Sequence, residues 1–165
     1  IVKVIFLDID GVLNSDKYID SIKGKEMTAE NEIDMEKVRL LEQAINQTGA
    51  RVVLTASGRY AQVGRYLREV LSQRAIFTDV TPYMDNIRGL EIKEWLKQNN
   101  DVEDFVILDD EIFESYDEEL LSKLIKISNG NGRNFGEGLL QKDVDEIVNR
   151  LGKNIAQEKF NKNER

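Results

Sequence analysis

VKVIFLDIDGVLN, residues Val2 to Asn14, is the stretch from which the fold can be read. From Val2 to Leu7 the chain is a nearly continuous apolar run that ends in Asp8, the pattern of a strand buried on both faces of a parallel sheet. A site at the carboxyl end of such a strand follows naturally. Two carboxylates two residues apart, Asp8 and Asp10, would point to opposite sides of an extended backbone unless the chain turned between them, and Gly11 permits that turn. A calcium-loop reading fails, because an EF-hand wants glycine at its sixth position and no strand in front of it.

Working outward, Asn14 to about Glu32 is polar and without sustained periodicity, which predicts a flap or loop too short for a cap domain. Asp34 then introduces Met35, Val38, Leu41 and Ile45 at helical spacing, closed by Gly49 as a C-cap. Arg51 to Leu54 reads as a second strand, Tyr60 to Leu71 as a second helix and Ile76 to Val80 as a third strand. After the sole proline, Pro82, a helix over Leu90 to Leu96 leads to a strand from Phe105 to Leu108 and another from Leu124 to Ile127. A Gly/Asn-rich loop from Asn129 to Gly138 precedes an amphipathic helix from Leu139 to Leu151. Alternating strands and helices predict an α/β fold, three layers with a doubly wound parallel sheet of five strands. One domain is expected over residues 1–152, with a frayed tail over 153–165.

The chain has 165 residues, a formal net charge of −8, no cysteine and no histidine. Without cysteine there are no disulfides, thiolate nucleophiles or zinc-thiolate sites. Without histidine, Ser-His-Asp and Cys-His mechanisms and imidazole metal sites are excluded. Any chemistry must fall to carboxylates, hydroxyls, Lys/Arg and hard cations such as Mg²⁺, Ca²⁺ or Mn²⁺. The acidic balance argues against a broad basic footprint for nucleic acid, though a local patch is compatible with it. No run approaches the roughly 18 apolar residues of a membrane span, so a cytoplasmic protein without membrane attachment is expected.

Three further stretches fall at or beside strand ends. VVLTASGR, residues 52–59, places Thr55 after a strand and before a helix, where a hydroxyl and backbone N–H groups make a phosphate-binding corner. RGLEIKEWL, residues 88–96, offers Arg88 and Lys93 as cations, the planar Arg fork being the better match to phosphoryl oxygens. FVILDDEIFE, residues 105–114, puts Asp109 and Asp110 directly after an apolar strand. Each stretch also has an ordinary structural reading: a tight turn, a helix cap, a solvated helix charge, a solvated acidic surface. The four together, in this order and each where the chemistry needs it, select the functional reading.

This set of motifs resembles the haloacid dehalogenase (HAD) phosphatases, whose nucleophile motif is Asp-x-Asp-Gly. It looks closest to the small, capless HAD domains of RNA repair proteins of the polynucleotide kinase-phosphatase kind. The resemblance runs from Val2 to about Leu151 and includes GLLQKDVDEIVNRL, residues 138–151. Those domains commonly read Ser-Ser-Ser-Trp-Arg where this chain has Thr-Ala-Ser-Gly-Arg at residues 55–59, so Gly58 stands in place of tryptophan. The resemblance implies a HAD-like, Rossmann-like sheet with a minimal cap. It implies Asp8 as the nucleophile that forms an aspartyl-phosphate, Asp10 as general acid and base, and Thr55 and Arg88 on the transferred phosphoryl group. Gly11, Ala56, Ser57, Arg59 and Lys93 are the implied substrate contacts. Asp8, Asp109, Asp110 and Asp10, the last through its backbone carbonyl, are the implied Mg²⁺ ligands.

The function expected on these grounds is Mg²⁺-dependent phosphomonoester hydrolysis, with a polynucleotide terminal phosphate as the leading substrate. Arg59, Arg65, Arg68 and Arg74, interleaved with Tyr60 and Tyr66, offer a path for a strand. A small-metabolite or nucleotide phosphatase is the alternative within the fold. A receiver-like phospho-switch, or a non-catalytic module that keeps the fold and binds a partner without turnover, is the alternative of another functional class; the order of the acids, nucleophile first and acid pair late, disfavours a receiver.

Overall fold

A computed structural model describes residues 2–128 and 134–154. Five strands, β1 (Val2–Leu7), β2 (Arg51–Leu54), β3 (Thr78–Val80), β4 (Val102–Asp109) and β5 (Leu124–Lys126), form one parallel sheet in the order β3-β2-β1-β4-β5. The described helices are α1 (Asp16–Ser21), α2 (Ala29–Glu32), α3 (Met35–Thr48), α4 (Gln62–Gln73), α5 (Arg88–Gln98), α6 (Glu118–Lys123) and α7 (Gln141–Leu151). None is long and apolar enough to cross a membrane.

The centre of the sheet explains the apolar run of β1, in which Val4 to Leu7 are all fully buried. Successive side chains of a strand point to opposite faces. Ile5 and Leu7 accordingly join Leu41 of α3, Leu67 of α4 and Ile147 of α7 in one core. Val4 and Phe6 join Ile92 and Trp95 of α5 and Leu120 of α6 in the other. The chain steps outward from β1 to β2 to β3, then returns past both to β4. Right-handed crossovers convert that reversal into a change of face, which is why α5 lies opposite α3 and α4. The same reversal opens a crevice at the carboxyl ends of β1 and β4.

Register places the site. Leu7 stands opposite both Leu54 and Leu108. The next residue on each strand is therefore Thr55, Asp8 and Asp109, side by side across β2, β1 and β4. The ladder continues into this layer, with Thr55 N–H donating to Leu7 O at 2.9 Å and Asp8 N–H to Leu108 O at 3.1 Å.

The expected five-stranded parallel sheet is present, and α3 runs between its expected caps: Asp34 accepts from Glu36 N–H, and Gly49 is left-handed. Other expectations are corrected. The stretch from residue 14 to 32 holds two short helices in place of a continuous loop. Ser15 Oγ accepts from Tyr18 N–H to start α1, and Thr28 Oγ1 accepts from Asn31 N–H to start α2. Neither helix buries a residue, so no apolar period could announce them. The helix expected from Tyr60 is a 3₁₀ turn, Ser57–Tyr60, followed by α4 from Gln62. A short helix, α6, precedes β5 where none was expected, opened by Asp117, whose carboxylate accepts from Leu120 N–H. Helix α7 begins at Gln141, two residues later than expected. Residues 129–133 of the Gly/Asn-rich loop and 155–165 of the expected tail lie outside the described residues.

Phe6 is the keystone of the second core, edge-on to Trp95 and to Phe105 at 5.5 Å between ring centroids in each case. Phe6→Ala should cost about 3–5 kcal/mol, read as a lower urea midpoint with an unchanged slope; a midpoint equal to wild type would remove Phe6 from that role.

Candidate active site

Asp8, Asp109 and Asp110 are all buried, and one carboxylate oxygen from each lies within 4.8 Å of the other two. Oxygens about 2.1 Å from Mg²⁺ sit up to about 4.2 Å apart across the ion, and around Ca²⁺ up to about 5 Å. The three acids are thus close to the spacing of one hard cation's coordination shell. Their donor chemistry fits, since all three ligands are carboxylate oxygens and no soft ligand is present. Gly11 completes the fit. Its φ is +80°, and a Cβ there would lie 2.1 Å from Asp110 Oδ2, so the turn after Asp10 is shaped to let the Asp110 carboxylate approach.

Arg88 enters from the other core. Its Nη1 donates to Asp109 Oδ2 at 2.7 Å and lies 3.5 Å from Asp8 Oδ1. The guanidinium carbon sits 4.6 Å from the centroid of the Phe113 ring, a cation–π contact. Helix α5 opens at Arg88 itself, after Asp85 and Asn86 at φ of +57° and +58°. Asp and Asn tolerate that conformation better than other residues with a Cβ. Lys93, the other candidate cation, is exposed and pairs with Asp117. It is corrected from substrate contact to surface ion pair: five residues along α5, it falls on another side of the helix from Arg88.

Thr55 is fully buried, and among the described residues its Oγ1 has no hydrogen-bond partner. A buried hydroxyl left unpaired is costly and uncommon, and this one sits one strand over from Asp8. Ala56 is buried beside it and Ser57 is exposed. Asp10 is exposed, and its Oδ1 accepts from Asn14 Nδ2 at 3.0 Å. Its carboxylate is not in the three-acid cluster.

Arg59 is the principal correction. Expected to touch substrate, it is 1% exposed and spends its donors internally, on the carbonyls of Ala56, Thr81 and Pro82 and on Glu91 Oε2. A positive side chain four residues past Thr55 that reaches outward and one that braces the turn look the same in sequence.

Sequence reasoning missed three residues. Tyr116 donates its phenol to Asp109 Oδ2 at 3.0 Å. Asn14 closes the first motif: its Oδ1 accepts from Gly11 N–H at 2.8 Å while its Nδ2 reaches Asp10 and Glu32 O. Glu91 is the buried partner of Arg59. For Tyr116 the signal was Phe113 and Tyr116 spaced i, i+3 within an otherwise acidic stretch; for Asn14 it was an amide four residues past an acid across a glycine turn.

Burial, and then Asp109, push the Asp8 carboxyl well above its usual range, with Arg88 opposing. Burial and Asp109 likewise raise Asp110 from 3.8 to about 6. Burial alone would lower the Arg88 pKa, but Asp8 and Asp109 outweigh it and leave it raised. Carboxyls with raised pKa hold protons more tightly when folded, so the stability they add is present at low pH and is lost as pH climbs from about 4 through about 6. Without divalent cations, the melting temperature of the wild type relative to Asp110→Asn should therefore fall across that window. Mg²⁺ should restore it, more at the upper end than the lower. A difference that does not change with pH, with or without Mg²⁺, would show that burial and the neighbouring acids do not raise the Asp110 carboxyl in the folded protein.

Comparison with known proteins bears on this arrangement. Neither the curated proteins nor the solved structures compared with the chain gave a match. A family model described as the HAD domain in Swiss Army Knife RNA repair proteins matches residues 4–133, a span that carries Asp8, Asp10, Thr55, Arg88, Asp109 and Asp110. With its acids at the ends of β1 and β4 and its sheet wound as that fold requires, the chain belongs to the HAD domain family of Swiss Army Knife RNA repair proteins.

Proposed function

We propose that this HAD domain is a Mg²⁺-dependent phosphomonoester hydrolase in which Asp8 receives the phosphoryl group. The observation that carries the proposal is the position of Asp8. Its carboxylate is in reach of a cation shared with Asp109 and Asp110 and lies 3.5 Å from the Arg88 guanidinium. A carboxylate approaching an anionic phosphoryl group meets repulsion, and positive charge on both sides is what removes it. When bound, the cation would be held by Asp8, Asp109 and Asp110 and would neutralise phosphoryl oxygens.

In the first step an Asp8 oxygen forms a bond to phosphorus while the ester P–O bond breaks, and Asp10 delivers a proton to the departing alcohol. Asp10 then takes a proton from water as that water attacks phosphorus, which releases inorganic phosphate and restores Asp8. Exposure of Asp10 suits a group that must meet both a leaving oxygen and solvent. Its hydrogen bond from Asn14 holds one carboxylate oxygen and leaves the other to exchange protons. Thr55 Oγ1, unpaired among the described residues, has a donor to offer a phosphoryl oxygen. Arg88 keeps its charge throughout and offsets that of the transferred group.

The substrate we propose is a terminal phosphate on a polynucleotide. The family's association with RNA repair supports it, as does the small size of the segment between β1 and α3, which carries only the two short helices α1 and α2. The arginine path is narrower than its sequence suggests. Arg59 is buried and Arg74 is paired with Glu42, which leaves Arg65 and Arg68 exposed on α4.

Asp8→Asn should reduce phosphate release to background while keeping a cooperative thermal transition, at or above the wild-type temperature when divalent cations are absent, because a buried charge is removed; wild-type rates in that variant would end the nucleophile assignment. Asp109→Asn should raise the Mg²⁺ concentration for half-maximal activity by about tenfold or more. An unaltered Mg²⁺ titration would show that Asp109 is not a ligand. A panel of 3′- and 5′-phosphorylated oligonucleotides, nucleotides and sugar phosphates should show the highest kcat/KM on an oligonucleotide end. Preference for a free sugar phosphate would favour the small-metabolite reading.

A further inference from the structure

We propose that the buried Arg59–Glu91 ion pair is a positioning device for phosphoryl transfer, holding the corner that carries Thr55 and the helix start that carries Arg88 at a fixed spacing around Asp8. The proposal rests on the phosphohydrolase reading above.

Three segments meet on this pair. Arg59 Nη1 donates to Ala56 O at 3.0 Å, the residue next to Thr55. Arg59 Nε and Nη2 donate to Thr81 O at 3.0 Å and Pro82 O at 3.1 Å, just past β3. Nη2 also donates to Glu91 Oε2 at 2.8 Å, and the same carboxylate oxygen accepts from Met84 N–H at 2.8 Å. Glu91 lies three residues beyond Arg88, in the same first turn of α5. One guanidinium and one carboxylate thus tie the β2 exit, the β3 exit and the first turn of α5 together.

The pair is itself held. Helix α4 closes against Arg59, so tightly that a Cβ on Gly64 would stand 2.1 Å from Arg59 O. Tyr60 donates its phenol to Thr81 O at 2.6 Å, and its ring lies 5.0 Å from the Arg59 guanidinium carbon. At 1% and 0% exposure neither Arg59 nor Glu91 can touch substrate, so any effect on turnover must pass through what they hold.

Stability alone is a poor reason for the pair. Taking two charges out of water offsets much of their attraction, and apolar replacements of buried ion pairs are often neutral or stabilising. Here the desolvation is not fully compensated, because among the described residues Glu91 Oε1 has no partner. A charged fork does supply direction: five donors in one plane fix several acceptors at once, which a lysine cannot do. The groups so fixed, Thr55 and Arg88, flank Asp8 on the β2 side and the α5 side, and phosphoryl transfer depends on their placement to well under an ångström.

The test compares Glu91→Ala, Glu91→Gln and Arg59→Lys in the full chain, with rates normalised to the folded fraction. Glu91→Ala should lower kcat about 30-fold or more, with the Mg²⁺ half-saturation unchanged because the ligands sit on β1 and β4. Glu91→Gln, which keeps an acceptor for Arg59 and Met84, should recover about tenfold of that loss. If Glu91→Ala does not fold, Arg59→Lys decides: it keeps the charge and loses the fork, and should lower kcat about tenfold or more at a near wild-type melting temperature. A kcat per folded molecule within about threefold of wild type in the deciding variant, or a Mg²⁺ half-saturation that worsens in step with kcat, would overturn the proposal. A wild type inactive on every phosphoester would defeat the phosphohydrolase reading separately. Amide exchange then tests the clamp by itself: Arg59→Lys should speed exchange at residues 55–60 and 81–91 and leave β1 and β4 protected, and unchanged exchange there would overturn the clamp too.

Discussion

Three carboxylates buried within 4.8 Å of one another are a repulsive arrangement that the rest of this molecule is built to hold. Low polarizability around them strengthens the repulsion, and the described residues answer it with the Arg88 guanidinium and the Tyr116 phenol, the oxygens being close to the spacing that a hard cation would take. Asp8 and Asp109 come from adjacent strands whose register is set by the apolar pairs beneath them. The hydrophobic core therefore determines how far apart the charges stand. A slip of one residue along β1 or β4 would move one acid up or down a layer and turn it to the other face.

Two arginines of this chain show how position decides what a charged group does. Arg88 reaches Asp8 and Asp109 from the first turn of α5 and lies over the Phe113 ring. Arg59 is more deeply buried and faces three backbone carbonyls and Glu91. One belongs to the charge balance of the three-acid cluster, the other to the frame around it. They are linked through α5, since Glu91 and Arg88 share its opening turns, so the frame and the charge balance are not independent.

Glycine has a specific duty at the turn after Asp10. Gly11 at φ +80° lies where a methyl group would overlap Asp110, so the loop after β1 and the loop after β4 interlock across the crevice. Asn14 then ties that turn back to Asp10 and to the end of α2. Through these contacts the segment between β1 and α3 is joined to the site although none of its helical residues is buried.

Much of this was legible in one dimension. The apolar run of β1, the α3 pattern between Asp34 and Gly49, and acids placed just after β1 and β4 determined the parallel sheet and the stretches that meet at its edge, because burial imposes a periodicity that sequence records directly. Helices α1 and α2 were not legible, since elements of one or two turns with no buried face leave no period and only their caps, Ser15 and Thr28, mark them. Nor were the separate fates of Arg59, Arg88 and Lys93. Only the tertiary structure decided those, because a guanidinium's role depends on which acceptors from distant segments surround it, and that is settled by strand register and by the face on which a crossover helix comes to lie.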